Sequence, residues 1–264
     1  EALEDYYLGF IALARRMGTG LILESATWRA SPDWAQPLGL SPKDLDALNH
    51  KAVSLLMHLR ESAAAEPPII ISGCIGPRGD GYDPGRIMSG EEAEAYHSQQ
   101  VAVLVAAGAD MLSAITMTNV PEAIGLARAA RKSGAPVAIS FTVETDGRLP
   151  TGEALWHAIA AVDEATASYP AYYMINCAHP THFANSLEQG AAWAKRVRGV
   201  RANASRCSHA ELDAMTELDR GDLTELAQLY KDLTLDFPQI TILGGCCGTD
   251  LTHVTAIAEA CLSH

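Results

Sequence analysis

The chain has 264 residues and a formal charge of −13, from 19 Lys and Arg against 32 Asp and Glu. No basic stretch with interleaved aromatics occurs, which argues against a nucleic-acid partner, and no apolar run reaches the roughly 18 residues that a membrane span needs. Apolar residues make up 48% and aromatics only 6%, a balance that suits strands buried on both faces and covered by helices.

In chain order, short apolar runs alternate with longer helical patterns. A helical pattern over 6–16 comes first, followed by a strand at 21–25. Ser41-Pro42 then supplies a cap and a proline at the first helical position. The next strand, 68–75, runs into Ser72-Gly73-Cys74-Ile75-Gly76-Pro77-Arg78-Gly79-Asp80-Gly81-Tyr82, a tight loop that lacks the Gly-Lys-Ser/Thr of a phosphate loop. Ser89 with Glu92 reads as a capping box opening a helix that ends at Gly108. After a strand at 109–116, Asn119 with Glu122 repeats the signal, and Gly134 stops that helix behind Arg131 and Lys132. Strand 136–143 is followed by a helix opening at Thr151 with Leu155, Ile159 and Val162 on one face. Strands at 172–177, 197–205 and 240–247 and a last helix from Thr249-Asp250 complete the chain.

Strand–helix alternation without long hairpins predicts a parallel sheet. No glycine-rich turn follows the first strand, so a closed barrel is favoured over an open doubly wound sheet. The expectation is one α/β domain over 1–264, a (β/α)8 TIM-type barrel. Seven strand candidates are one short of eight, and the first barrel strand is expected to lie upstream of Glu1.

The six cysteines are thinly spread and two are adjacent, unlike a disulfide-stapled secreted domain, so a reducing cytoplasm is the expected location. Cys177 stands in Asn176-Cys177-Ala178-His179-Pro180. Cys246 and Cys247 stand in Gly244-Gly245-Cys246-Cys247-Gly248-Thr249. Both segments fall at C-terminal strand ends, the functional face of a parallel barrel. Three thiolates are soft anionic donors that suit tetrahedral Zn2+ and leave a fourth position open, as in a catalytic site. His179 is read as a loop residue beside this set. Glu24 is a candidate for holding a substrate amine.

Asn176-Cys177, the Gly-Gly-Cys-Cys-Gly-Thr run, the loop at Gly73–Pro77, and Ser140-Phe141-Thr142 followed by Asp146-Gly147 resemble the homocysteine S-methyltransferase family. The resemblance implies a zinc-dependent barrel enzyme that methylates the sulfur of homocysteine or a related thiol. Its donors would be methylfolate, betaine, S-methylmethionine or S-adenosylmethionine. It further implies Cys177, Cys246 and Cys247 as zinc ligands and Glu24, Asn176 and Thr142 as substrate-binding residues. Partners would be the small-molecule thiol and the methyl donor, with no nucleic acid or membrane, and no residue pattern specifies an oligomer. The family's first strand, with its Asp-Gly-Gly near the substrate, is absent from the chain, which departs from the family pattern in three further places. Glu24-Ser25-Ala26-Thr27 lacks the family's Asn, Ile115 stands where the family has a Glu for the substrate amine, and Arg201-Ala202-Asn203 replaces Tyr-Pro-Asn. A thiol substrate without an α-amino group is therefore expected to fare better here than homocysteine. The competing reading is a non-catalytic zinc-binding barrel used for metal storage or sensing.

Overall fold

Among the described residues, seven parallel strands form where seven apolar runs predict them: β1 Leu21–Glu24, β2 Ile69–Ile75, β3 Met111–Met117, β4 Val137–Phe141, β5 Tyr172–Asn176, β6 Val197–Ala202 and β7 Ile242–Gly245. The computed structural model describes residues 1–63, 68–188 and 190–262. The strands pair in chain order, β1 to β7, and among the described residues β1 and β7 do not pair with each other. The sheet curls strongly. Cys74 of β2, Ile115 of β3 and Met174 of β5 share one apolar cluster, with Ile242 of β7 packed against it. This is a TIM-barrel-type wall with seven of its strands, as expected.

Among the described residues, eight helices longer than one turn clothe the sheet: α1 Ala2–Met17, α2 Pro42–Ser62, α3 Gly90–Ala106, α4 Val120–Lys132, α5 Leu155–Thr166, α6 His209–Ala214, α7 Leu223–Asp236 and α8 Leu251–Leu262; several single turns lie between them. The start signals act as read. Ser41 and Asp44 close a capping box on α2, Ser89 and Glu92 close one on α3, and the Asn119 side chain accepts from the Glu122 amide at the start of α4. One boundary differs. Thr151 does not open α5, which begins at Leu155. Gly152 adopts φ +83°, and Arg148 and Ala154 form an antiparallel bridge around it, so a hairpin-like turn consumes those residues first. Strand β6 is also shorter than its apolar run. It stops at Ala202 because the Asn203 side chain turns to the site and bonds other loops.

The main core fills the layer between sheet and helices, with Ile71, Leu112, Ile139, Phe141, Tyr173 and Val200 among its strand residues. Burying a side chain of this size contributes about 1.5–3 kcal/mol each. Tyr230 of α7 ties the last two strands together: its hydroxyl accepts from Ala202 N at 2.7 Å and donates to Gly244 O at 2.6 Å. That tie sets the height at which the loop after β7 leaves the sheet.

Candidate metal centre

Cys177 follows β5, and Cys246 and Cys247 follow β7. Strand curl brings their three sulfurs within 4.8 Å of one another. Cys177 and Cys246 are joined as a disulfide, with Cα atoms 5.5 Å apart, and Cys247 Sγ lies 3.9 Å from Cys177 Sγ. The two bonded sulfurs stand in for the two thiolates that reduction would return. Cys177 is buried, Cys246 half-buried and Cys247 exposed, so the cluster faces outward at Cys247.

Backbone geometry at the cluster is unusual. Cys177 and Thr116 both adopt left-handed φ, 53° and 66°. Such residues cost on the order of 1–3 kcal/mol each and persist where their surroundings fix them. At Cys177 the fixing groups are Asn203 Nδ2 and His209 Nε2, both bonded to its carbonyl oxygen, at 3.1 and 2.6 Å. At Thr116 the fixing group is the Asn176 carboxamide. Asn176 Oδ1 accepts from Thr116 N at 2.9 Å and from Ser140 Oγ at 2.6 Å, and Nδ2 donates to Thr116 Oγ1 at 2.8 Å. Asn176 Nδ2 also points toward Cys246 Sγ, 4.0 Å away. Thr142 is buried behind Cys177, with Oγ1 3.5 Å from its carbonyl oxygen.

The turn between the adjacent cysteines and α8 depends on Gly248. It sits at φ +78°, and a Cβ there would collide with the Asp219 carbonyl. Asn203 Oδ1 accepts from Cys247 N at 3.1 Å and fixes the second cysteine. His179 is not part of the sulfur cluster. Its Nδ1 is taken up by Thr181 Oγ1 at 2.8 Å, and burial, then His182 and Arg206, bring its pKa down to about 4.

Three residues not singled out by the sequence complete the mouth. Tyr82 Oη lies 3.3 Å from Cys247 Sγ, and its ring stacks on His209 at 4.0 Å between centroids. His209 Nδ1 in turn lies 3.1 Å from Glu144 Oε1. The sequence holds Tyr82 within the glycine-rich loop and His209 just after Ser208, but neither carries a pattern that ties it to the cysteines. Burial and the neighbouring Cys247 hold the Tyr82 phenol well above its ordinary pKa, so it remains a donor.

The family description of homocysteine S-methyltransferases matches residues 1–261. The chain belongs to the homocysteine S-methyltransferase family. Homocysteine S-methyltransferase of Escherichia coli K12 is 28% identical over 254 residues, covering 88% of this chain and 77% of that protein. Homocysteine S-methyltransferase 4 of Zea mays is 24% identical over 267 residues, covering 90% and 75%. In fold, the metallated form of the Escherichia coli homocysteine methyltransferase MmuM superposes with a TM-score of 0.73 at 23% identity, over 96% of this chain and 83% of that one. The oxidized form of the same enzyme gives 0.75 at 24% identity, over 96% and 82%.

In this member of the homocysteine S-methyltransferase family, an open-sided cavity of about 610 Å3 lies in the seam between the edges of β1 and β7, which are unpaired among the described residues. It runs along β1 and β7 beneath Tyr7 and Phe10 of α1, and it reaches the cysteines only at its rim, through Gly245 and Thr249 on either side of Cys246 and Cys247. Glu24 faces this cavity and forms an ion pair with Arg201 of β6 across it. Glu24 is the largest influence raising the Arg201 pKa. Ile115 packs in the interior beside Cys74 and Met174. Burial pushes the Cys74 thiol far above its usual range, so Cys74 stays protonated and apart from the cluster.

Proposed function

We propose that this chain is a zinc-dependent S-methyltransferase that passes a methyl group from a small-molecule donor to a metal-activated thiol, homocysteine or a related one. The observation that carries the reading is the convergence of Cys177, Cys246 and Cys247 within 4.8 Å, after the ends of β5 and β7. These donors fit the metal: three soft sulfurs, with no fourth His or carboxylate in the group among the described residues. Bound there, zinc supplies a Lewis acid that favours the thiolate form of a coordinated thiol at neutral pH.

The chain's own residues do the rest. Cys177, Cys246 and Cys247 hold the metal through anionic sulfur, which keeps the centre electron-rich. Asn176 holds the end of β3 and faces Cys246, and Thr142 backs the Cys177 carbonyl; both are proposed to help shape the pocket for the substrate sulfur. Glu24 is the interior acid able to meet a substrate ammonium, provided its pairing with Arg201 opens. No protein base would be required at the thiol, because a metal held by these cysteines would favour its deprotonated form. Membership of the homocysteine S-methyltransferase family favours the enzyme over the non-catalytic alternative.

The test is zinc content together with thiol consumption, both under reductant. Reduced protein is expected to hold about one zinc per chain and to consume thiol in the presence of a methyl donor. Cys246→Ala is expected to lose most of its zinc, since two thiolates hold Zn2+ poorly. Full metal retention by that variant in elemental analysis contradicts the ligand set. Zinc binding without any thiol methylation favours the storage reading.

A further inference from the structure

A centre with several thiolates faces a selectivity problem that follows from its chemistry. Each cysteine ligand is itself a sulfur nucleophile, and methylating one would convert a ligand into a thioether and spoil the centre. Cys177 is buried and Cys246 half-buried, whereas Cys247 is exposed. Cys247 is therefore the most exposed of the three ligand residues.

Tyr82 covers the sulfur of Cys247. Its Oη lies 3.3 Å from Cys247 Sγ, and as a thiolate carries no proton, the phenol O–H is the donor. The ring is held in place from several sides. It stacks on His209, whose two ring nitrogens contact Cys177 O and Glu144 Oε1. Its loop is anchored where Gly76 N donates to Trp28 O at 3.1 Å and Arg78 N donates to Glu122 Oε1 at 2.6 Å. Gly76 is needed there, because a Cβ would strike the Trp28 carbonyl and ring.

We propose that Tyr82 protects Cys247 from self-methylation by donating a hydrogen bond to its sulfur. The bond draws electron density from the exposed ligand, so the substrate thiolate remains the better nucleophile. Tyr82 acts through Cys247 and is a positioning residue. The inference rests on the methyl-transfer reading of the site, but its test does not require turnover.

The probe is iodomethane, used on reduced protein loaded with zinc and without thiol substrate. In the reaction read, Cys247 Sγ forms a bond to the methyl carbon, the carbon–iodine bond breaks, and iodide leaves with the electron pair. Peptide mass spectrometry follows the methylated Cys247 peptide in wild type and in Tyr82→Phe, which keeps the ring and its steric cover. Loss of a hydrogen bond to a charged group is expected to raise the Cys247 methylation rate about tenfold in Tyr82→Phe, at unchanged zinc content. Tyr82→Ala, which also removes the cover, is expected to be at least as fast. Equal rates in wild type and Tyr82→Phe overturn the proposal, as does a rise seen only in Tyr82→Ala, which would assign protection to bulk alone. Zinc content and thiol consumption in the same preparations report separately on the methyltransferase reading, so a failure of one is not mistaken for a failure of the other.

Discussion

Ile115 and Glu24 define the polarity of the interior beneath the cysteines. Ile115 packs with Cys74 and Met174, and Glu24 is already paired with Arg201. A substrate ammonium placed against Ile115 would lose a charge-assisted hydrogen bond, worth about 1.5–3 kcal/mol or roughly 10- to 150-fold in affinity. An amine-free thiol avoids that desolvation cost. Steady-state rates under one donor are therefore expected to favour an amine-free analogue over homocysteine. A strong preference for homocysteine would contradict this and assign the amine to Glu24, freed from Arg201. At this scale the cysteines were legible from sequence, because an adjacent pair framed by glycines is rare and its chemistry narrow. Arg201 was visible there only as a departure from Tyr-Pro-Asn. Its pairing with Glu24 crosses the curled sheet from β6 to β1, and no local pattern encodes such a contact. Tyr82 and His209 escaped for the same reason, since stacking between a loop after β2 and the start of α6 is set by tertiary packing.

Loop and helix ends, more than strands, hold the site's outer wall. Asn119 at the start of α4 was read as a cap residue, and it is; Glu122, read as its capping-box partner, instead sends its carboxylate to Arg78 N in the loop that carries Tyr82. Burial alone would raise the Glu122 carboxyl pKa. Hydrogen bonds from His97, Arg78 N and Asn119 outweigh it and leave the carboxyl below its ordinary 4.5. A depressed carboxyl stabilises the fold above the unfolded-state value, and this contribution is lost as pH falls through the folded one. Wild type is thus expected to be more stable than Glu122→Gln at neutral pH, with the gap narrowing as pH drops below 4.5. Thermal unfolding of both proteins from pH 7 to pH 3 checks it, and a gap independent of pH would contradict the assignment. The bulge in β3 was not legible at this scale. The register shifts between Ala114 and Met117, and Thr116 takes a left-handed φ because a carboxamide two strands away holds it.

Across the whole molecule, strand order and parallel pairing followed from apolar runs separated by well-capped helices, so the architecture was readable before any contact was known. The cavity was not, since its walls join α1 and β1 at one end of the chain to β7 at the other. Curl of the sheet is what converts distant strand ends into one three-sulfur cluster, and the proposed methyl transfer depends on that cluster taking a metal and then a thiol. Zinc-edge X-ray absorption on reduced, zinc-loaded protein, with and without saturating thiol, tests this most directly. The expected result is a shell of three sulfurs from Cys177, Cys246 and Cys247, gaining one more sulfur when the thiol is added. A shell dominated by nitrogen and oxygen, or one that the thiol leaves unchanged, would contradict it.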